Sequence, residues 1–182
     1  MRTLFLFLLL VPALAWGRGG VDAYLGLGDE DNDYNEALDI PWVEIETQVQ
    51  RGPVEEDLTE LEIRNLPPGM TLLGDLNNLT VDRRDHVTRL WLVVRSESGA
   101  DNGSYEGFRC ATGEYKVYAY YNPKRSTPLR VVRLPRWKTI RPRDYRLDLA
   151  KGTLCSGTNP RDPDRIRAYP VRQSGDYHSP FD

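Results

Sequence analysis

Glu106 and Arg109, in the run Tyr105-Glu106-Gly107-Phe108-Arg109, are the residues whose types and spacing most invite a chemical reading. A carboxylate and a guanidinium set among aromatic residues can serve as acid, base or anion holder, and a carboxylate-based hydrolytic site around Glu106 is the enzyme hypothesis. General acid–base work rests on a titratable group held against its substrate and tuned by its neighbours, and a lone carboxylate is poor evidence for it. The favoured alternative is an ion-pair lattice across neighbouring strands, with Glu106 against Arg95 or Arg109. Gly107 would then mark a bulge or a close backbone approach. Tyr105, Glu106, Gly107, Arg109 and Arg95 are on that reading structural.

Other chemistry is scarce. The chain has two histidines, His86 and His178. A Ser-His-Asp or Cys-His site would need His86, and no nucleophile motif accompanies it. A zinc site would need more histidines or free cysteines. Glycine-rich phosphate loops and nucleotide fingerprints are missing. The sequence therefore assigns no catalytic residue, no metal ligand and no cofactor. What it does offer is a basic run, Arg130, Arg133, Arg136, Lys138, Arg141, Arg143 and Arg146, interleaved with Trp137 and Tyr145. Such a run can hold an anionic envelope component or an acidic envelope protein. It can equally be a solvated edge that keeps sheets from stacking edge to edge, or a seat for the chain's own acids. The net charge of −3 hides this polarity. Residues 16–62 hold fourteen acids against Arg18 and Arg51, and residues 109–172 hold sixteen Lys or Arg against five acids.

The compartment frames these choices. Met1-Arg2, the apolar run Leu4–Val11, Pro12 and the small-x-small pattern Ala13-Leu14-Ala15 read as a secretory signal peptide cut after Ala15. The expected address is the periplasm, with possible attachment to the envelope, and that address argues against nucleic acid as a partner. No cysteine follows the cut, so a lipid anchor is not expected. No later run is apolar enough to span a bilayer, which takes about 20 residues. Cys110 and Cys155 are the only two cysteines. In an exported chain they read as one disulfide. The alternatives are two free thiols or a redox pair, although redox pairs ordinarily sit as Cys-x-x-Cys.

The elements that must carry these residues are mostly strands. His86–Arg95 alternates, with Leu90, Leu92 and Val94 on one face and Trp91 and Val93 on the other. A polar turn follows, then strands over Tyr105–Cys110 and Tyr115–Tyr121. In the last, Tyr115, Val117, Ala119 and Tyr121 are expected on one side. Short turns between strands mean an antiparallel meander. Weaker strands are expected at Thr59–Arg64, Thr71–Leu73 and Leu79–Val81, and edge pieces at Leu129–Leu134 and Trp137–Ile140. One helix is expected from Pro142, with Tyr145 and Leu149 in register and Gly152 just past its end. The acidic stretch 16–41 and the proline-rich stretch 157–182 are expected to be disordered. The folded domain is thus 42–156. Its class is α+β, an antiparallel sheet with a C-terminal helix packed on one face and clipped by the cysteine pair.

The stretch Leu92–Cys110, LVVRSESGADNGSYEGFRC, resembles the diagnostic block of the CNP-one-like family, exported proteobacterial proteins of unknown function. Its parts are Val94-Arg95-Ser96, Ser98-Gly99-Ala100, Asn102, Tyr105-Glu106-Gly107 and Arg109-Cys110. Tyr118-Ala119, Trp137 with Ile140, and Leu149 with Cys155 continue the likeness, and Trp42 and Glu44 match the family's opening Trp-x-Glu. The resemblance covers residues 42–156 and implies an exported protein of uncharacterised function; the scarcity of catalytic groups is what favours a non-enzymatic binding or interaction module of the envelope over a hydrolase built around Glu106. Gly152 and the Arg- and Pro-rich segment 122–137 depart from the family pattern. A remoter similarity, in architecture alone, is to the surface-adhesin protein E family.

Overall fold

The computed structural model describes residues 41–168 and Pro170. The expected signal peptide, all but the last residue of the acidic stretch, and half of the C-terminal stretch 157–182 lie outside the described residues.

Eight strands form one antiparallel sheet: β1 (Leu58–Leu61), β2 (Met70–Asp75), β3 (Thr80–Asp82), β4 (Val87–Ser96), β5 (Asp101–Arg109), β6 (Glu114–Tyr121), β7 (Leu129–Val131) and β8 (Lys138–Thr139). The order is β1-β2-β4-β5-β6-β7. β3 lies beside the first residues of β4 and β2 beside its last, so β2 and β3 flank one long strand in succession. β7 and β8 flank β6 in the same way. The meander β4–β5–β6 is the one the alternation predicts. Its turns are short, with Gly99 and Gly113 at positive φ, which strands joined by tight reversals require.

Along β4 the alternation sends Leu90 and Leu92 to one face, where they join Leu61, Leu72, Phe108, Ile140, Leu149, Leu154 and Ile166 in the core. Trp91 on the other face meets Tyr105 and Tyr121, with ring centroids 5.4 and 6.1 Å apart. One expected assignment fails in β6. Tyr105 pairs with Ala119 but Glu106 pairs with Val117, leaving Tyr118 as an extra residue. This bulge reverses the facing of everything beyond it. Ala119 therefore leaves the side of Tyr115 and Val117 and shares a face with Tyr105. Gly107 opposes the same region, and a Cβ there would come within 2.6 Å of the Tyr118 hydroxyl. Its role is a close approach, as expected, and the bulge is its neighbour.

The helical layer is shorter and more broken than expected. Helix α1 spans Tyr145–Leu149 and begins at Asp144, whose carboxylate caps the Arg146 amide at 3.0 Å. Pro142 lies outside it. Gly152 does not end it in a left-handed cap. The chain instead widens into a π-helical turn over Ala150–Leu154 that contains Gly152, and Cys155 is the first extended residue after it. Cys155 is bonded to Cys110, just beyond β5, with Cα atoms 5.7 Å apart. The clip thus joins the end of the helical turn to the central meander.

The expected domain end at 156 is too early. β9 (Cys155–Ser156) pairs with β10 (Asn159–Pro160), and helix α2 (Pro163–Ala168) places Ile166 in the core at 0% exposure. Arg167 donates to the carbonyls of Leu76 and Leu79 at 3.0 and 3.3 Å, which fixes the excursion between β2 and β3. One apolar residue among charges gave no periodic signal, yet it fills the core.

Candidate functional site

Glu106 is the first candidate, and the structure seals it. Its side chain is fully buried on the helix-facing side of β5. Ser104 donates to Oε1 at 2.6 Å, and Arg146 closes a two-pronged pair, Nε to Oε2 and Nη2 to Oε1, both 2.6 Å. A planar guanidinium matches a carboxylate in this way. The Arg146 guanidinium lies between the Tyr115 and Tyr145 rings, 4.4 and 4.5 Å from their centroids. Burial alone would lower its proton affinity, but the bond to Glu106 outweighs that and raises it. Burial, helped by the Glu106 charge, pushes the Tyr145 phenol well above the ordinary tyrosine range.

Glu106 pairs with neither of its expected partners, Arg95 on β4 or Arg109 on β5; its guanidinium comes from the helix instead. Arg95 instead binds Asp101 at 2.7 Å and Glu55 at 2.8 Å. Arg109 stands over the Trp42 ring at 3.9 Å and only 3.8 Å from Glu114. Arg146, a member of the basic run in sequence, is a partly buried framework residue with 17% of its side chain exposed. Tyr105 packs on Trp91 and Tyr118.

The opposite face of the sheet holds a second buried network, built from residues with no periodic signature. Residues 42–54 cross this face without regular structure. Asp85 and Arg89, both buried, form an ion pair. The Ile45 and Val87 amides donate to the Asp85 carboxylate at 3.0 and 3.1 Å, and Arg89 Nε donates to Thr47 at 2.8 Å. Burial pushes the Asp85 carboxyl up, but these donors more than offset it and hold it below its ordinary value. Close by, Glu44 receives Lys116, the Tyr118 hydroxyl at 2.6 Å and the Trp137 indole at 3.1 Å. Burial and the Glu44 charge raise the Tyr118 phenol far above its usual range. Trp42 meets Trp137 edge to face at 5.9 Å. Trp42, Glu44, Arg109, Tyr118 and Trp137, scattered over the sequence, therefore converge on one latch.

His86 is exposed in the β3–β4 turn at φ 55° and precedes the strand rather than starting it. Both cysteines are spent in the disulfide. Among the described residues no group of His, Cys, Asp or Glu is placed to hold a metal, and no helix is long and apolar enough to cross a membrane.

The basic run keeps its expected exposure. Arg130, Arg133, Arg136, Lys138, Arg141 and Arg143 all lie on the surface along the β7–β8 edge and the loop after it. Among the described residues none of the six is in an ion pair, and Arg130 lies 5.0 Å over the Tyr120 ring. On the far edge, β1 and the residues beside it carry exposed Glu55, Glu56, Glu60 and Glu62. The charge polarity of the chain has become a polarity across the sheet. Two concavities adjoin these elements. One, of 660 Å³, runs along the disulfide, and its wall mixes Arg109, Lys151 and Arg161 with Glu62, Glu114 and Asp148. The other, of 620 Å³, sits at the end of β5 and β6 under the loop 122–128.

A sheet filled on one face by a disulfide-clipped helical layer and latched on the other by an N-terminal crossing segment defines a small α+β module with its charge on the edges. The chain belongs to the CNP1-like family, the CNP-one-like family of the sequence resemblance, whose profile matches residues 37–168. That span includes α2, in agreement with the buried Ile166. No curated protein and no solved structure matches the chain at a significant level.

Proposed function

We propose that the protein is a non-enzymatic, exported binding module of the bacterial envelope that engages an anionic partner through its β7–β8 edge. The observation that carries this reading is a contrast in how charge is settled. The buried carboxylates are answered inside the fold: Glu106 by Arg146, Asp85 by Arg89, and Asp75 by the Asn78 amide at 3.0 Å. The six edge cations are exposed and have no such answer among the described residues. Cations left in this way raise the local concentration of anions and speed their capture. The sealed, doubly held Glu106 supports a framework role over a hydrolytic one. The periplasmic address rests on the leader-like sequence of residues 1–15.

The edge is tested by co-sedimentation with phosphatidylglycerol vesicles at low salt, with phosphatidylcholine vesicles as the control. The expected result is binding to the anionic vesicles alone, lost with added salt and in the Arg133→Glu/Arg136→Glu/Arg141→Glu variant. Equal sedimentation of the variant, or no sedimentation of the native chain, overturns the reading. The address is tested by intact mass of the protein recovered from periplasm, expected to begin at Trp16.

A further inference from the structure

We infer that the 620 Å³ cavity under the loop 122–128 is a binding site for a single acidic sugar, a hexose ring bearing a carboxylate. The volume lies in the range of small-ligand sites, about 300–1,000 Å³. Its lining combines three chemistries that a sugar acid needs together. Tyr120 supplies aromatic surface for the apolar C–H face of a ring, while the Tyr121 ring turns to the opposite face of the sheet against Trp91. Asn102 and Asn122 supply side-chain amides, which carry donor and acceptor side by side and so suit neighbouring hydroxyls. Arg125 and Arg130 supply two guanidiniums. No aspartate or glutamate lines the cavity. Neither arginine is in an ion pair among the described residues, so the site has the sign of an anion receptor.

The wall is held in place before any ligand arrives. The Asn122 amide donates to the Pro128 carbonyl at 3.0 Å and the Arg125 amide to the Asn122 carbonyl at 3.2 Å, which closes the loop on itself. The Asn122 side chain accepts from the Lys124 amide at 3.0 Å and reaches Asn102 at 3.4 Å. Tyr120, 41% exposed, has the Arg130 guanidinium 5.0 Å over its ring. The Asn102 side-chain NH2 donates to no group among the described residues. A guanidinium backed by an aromatic ring loses less freedom on binding than a free one, and its planar fork matches a carboxylate.

The reading differs from the edge reading and fails separately. Amide NMR of the labelled full-length chain is followed during titration with glucuronate, glucose and inorganic phosphate. Glucuronate is expected to shift Gly103, Asn122 and Arg125 with a Kd of about 1 mM, an affinity in keeping with a small polar ligand. Glucose lacks the acid and phosphate lacks the ring, so each should bind at least about tenfold more weakly. Arg125→Ala and Tyr120→Ala, both at exposed positions, should each weaken glucuronate about tenfold and leave the melting temperature in place. The triple edge variant should bind glucuronate as the native chain does, and Arg125→Ala should still sediment with phosphatidylglycerol vesicles. Shifts confined to other residues, phosphate or glucose matching glucuronate, or full binding by the Tyr120→Ala variant would each overturn the sugar-acid site.

Discussion

Replacing Glu106 by glutamine keeps the shape of the side chain and removes the charge that faces Arg146. The guanidinium lies against two tyrosine rings, and the one carboxylate left to it, Asp144 at 3.3 Å from Nη1, is partly exposed and does not replace the two-pronged pair. Breaking one side of a buried pair typically costs about 3–5 kcal/mol, whereas replacing both partners by apolar groups of similar volume is often close to neutral. Glu106→Gln is therefore expected to lose about 3 kcal/mol by urea titration, and Glu106→Leu with Arg146→Met to recover most of it. A variant that melts like the native protein but has lost a measured hydrolysis would return Glu106 to the list of catalytic groups. Asp85 follows the same logic with a pH signature. Its carboxyl is held below the ordinary value of 3.8 in the fold. As pH falls through about 4 the unfolded chain takes up the proton first, so the stability Asp85 contributes is complete above that pH and drains away below it. Asp85→Asn should lower the melting temperature at pH 7 and flatten its fall below pH 4.

At the scale of elements, the disulfide and the short helical layer depend on each other. Helix α1 has five residues and the π turn five more, too few to be stable without tertiary contacts. The bond closes a separation of 45 residues, worth about 4 kcal/mol on the chain-entropy account. Reduction is expected to speed hydrogen exchange over 142–155 ahead of β4 and β5. Unchanged protection of that stretch after reduction would remove the clip from the account of stability. The strands were legible because β4 alternates over ten residues and its neighbours are joined by turns with glycine at the reversal. The bulge at Tyr118 was not, since one inserted residue leaves the local alternation intact and shows only against the partner strand. Arg146 is hidden in sequence for a related reason: the other six members of the basic run are surface cations, and only the approach of α1 to β5 separates it from them. The cavity beneath 122–128 was invisible in sequence because its amides and tyrosines come from both strands and the loop.

For the molecule as a whole, titration sets two limits. Tyr118 and Tyr145 are held neutral in the fold above the ordinary tyrosine value of 10.0. A raised folded pKa contributes stability that is complete below the unfolded value and lost as pH rises through it. With Asp85 at the acid end, the melting temperature is expected to be level between about pH 5 and 9 and to drop on both sides. The latch on the crossing segment also bears on the order in which the chain assembles. Glu44 meets partners 72, 74 and 93 residues further along, while the β4–β5–β6 meander is built from near neighbours. Loop closure over such separations must be met before those bonds reward it, so the meander forms early and the first described residues settle last. Glu44→Gln is then expected to hasten unfolding while leaving the refolding rate nearly as it was. A comparable slowing of refolding, read from the folding arm of the denaturant chevron, would place the latch in the nucleus instead. The part of the domain that leads the chain in sequence is thus the part that arrives last in time, and the first to let go.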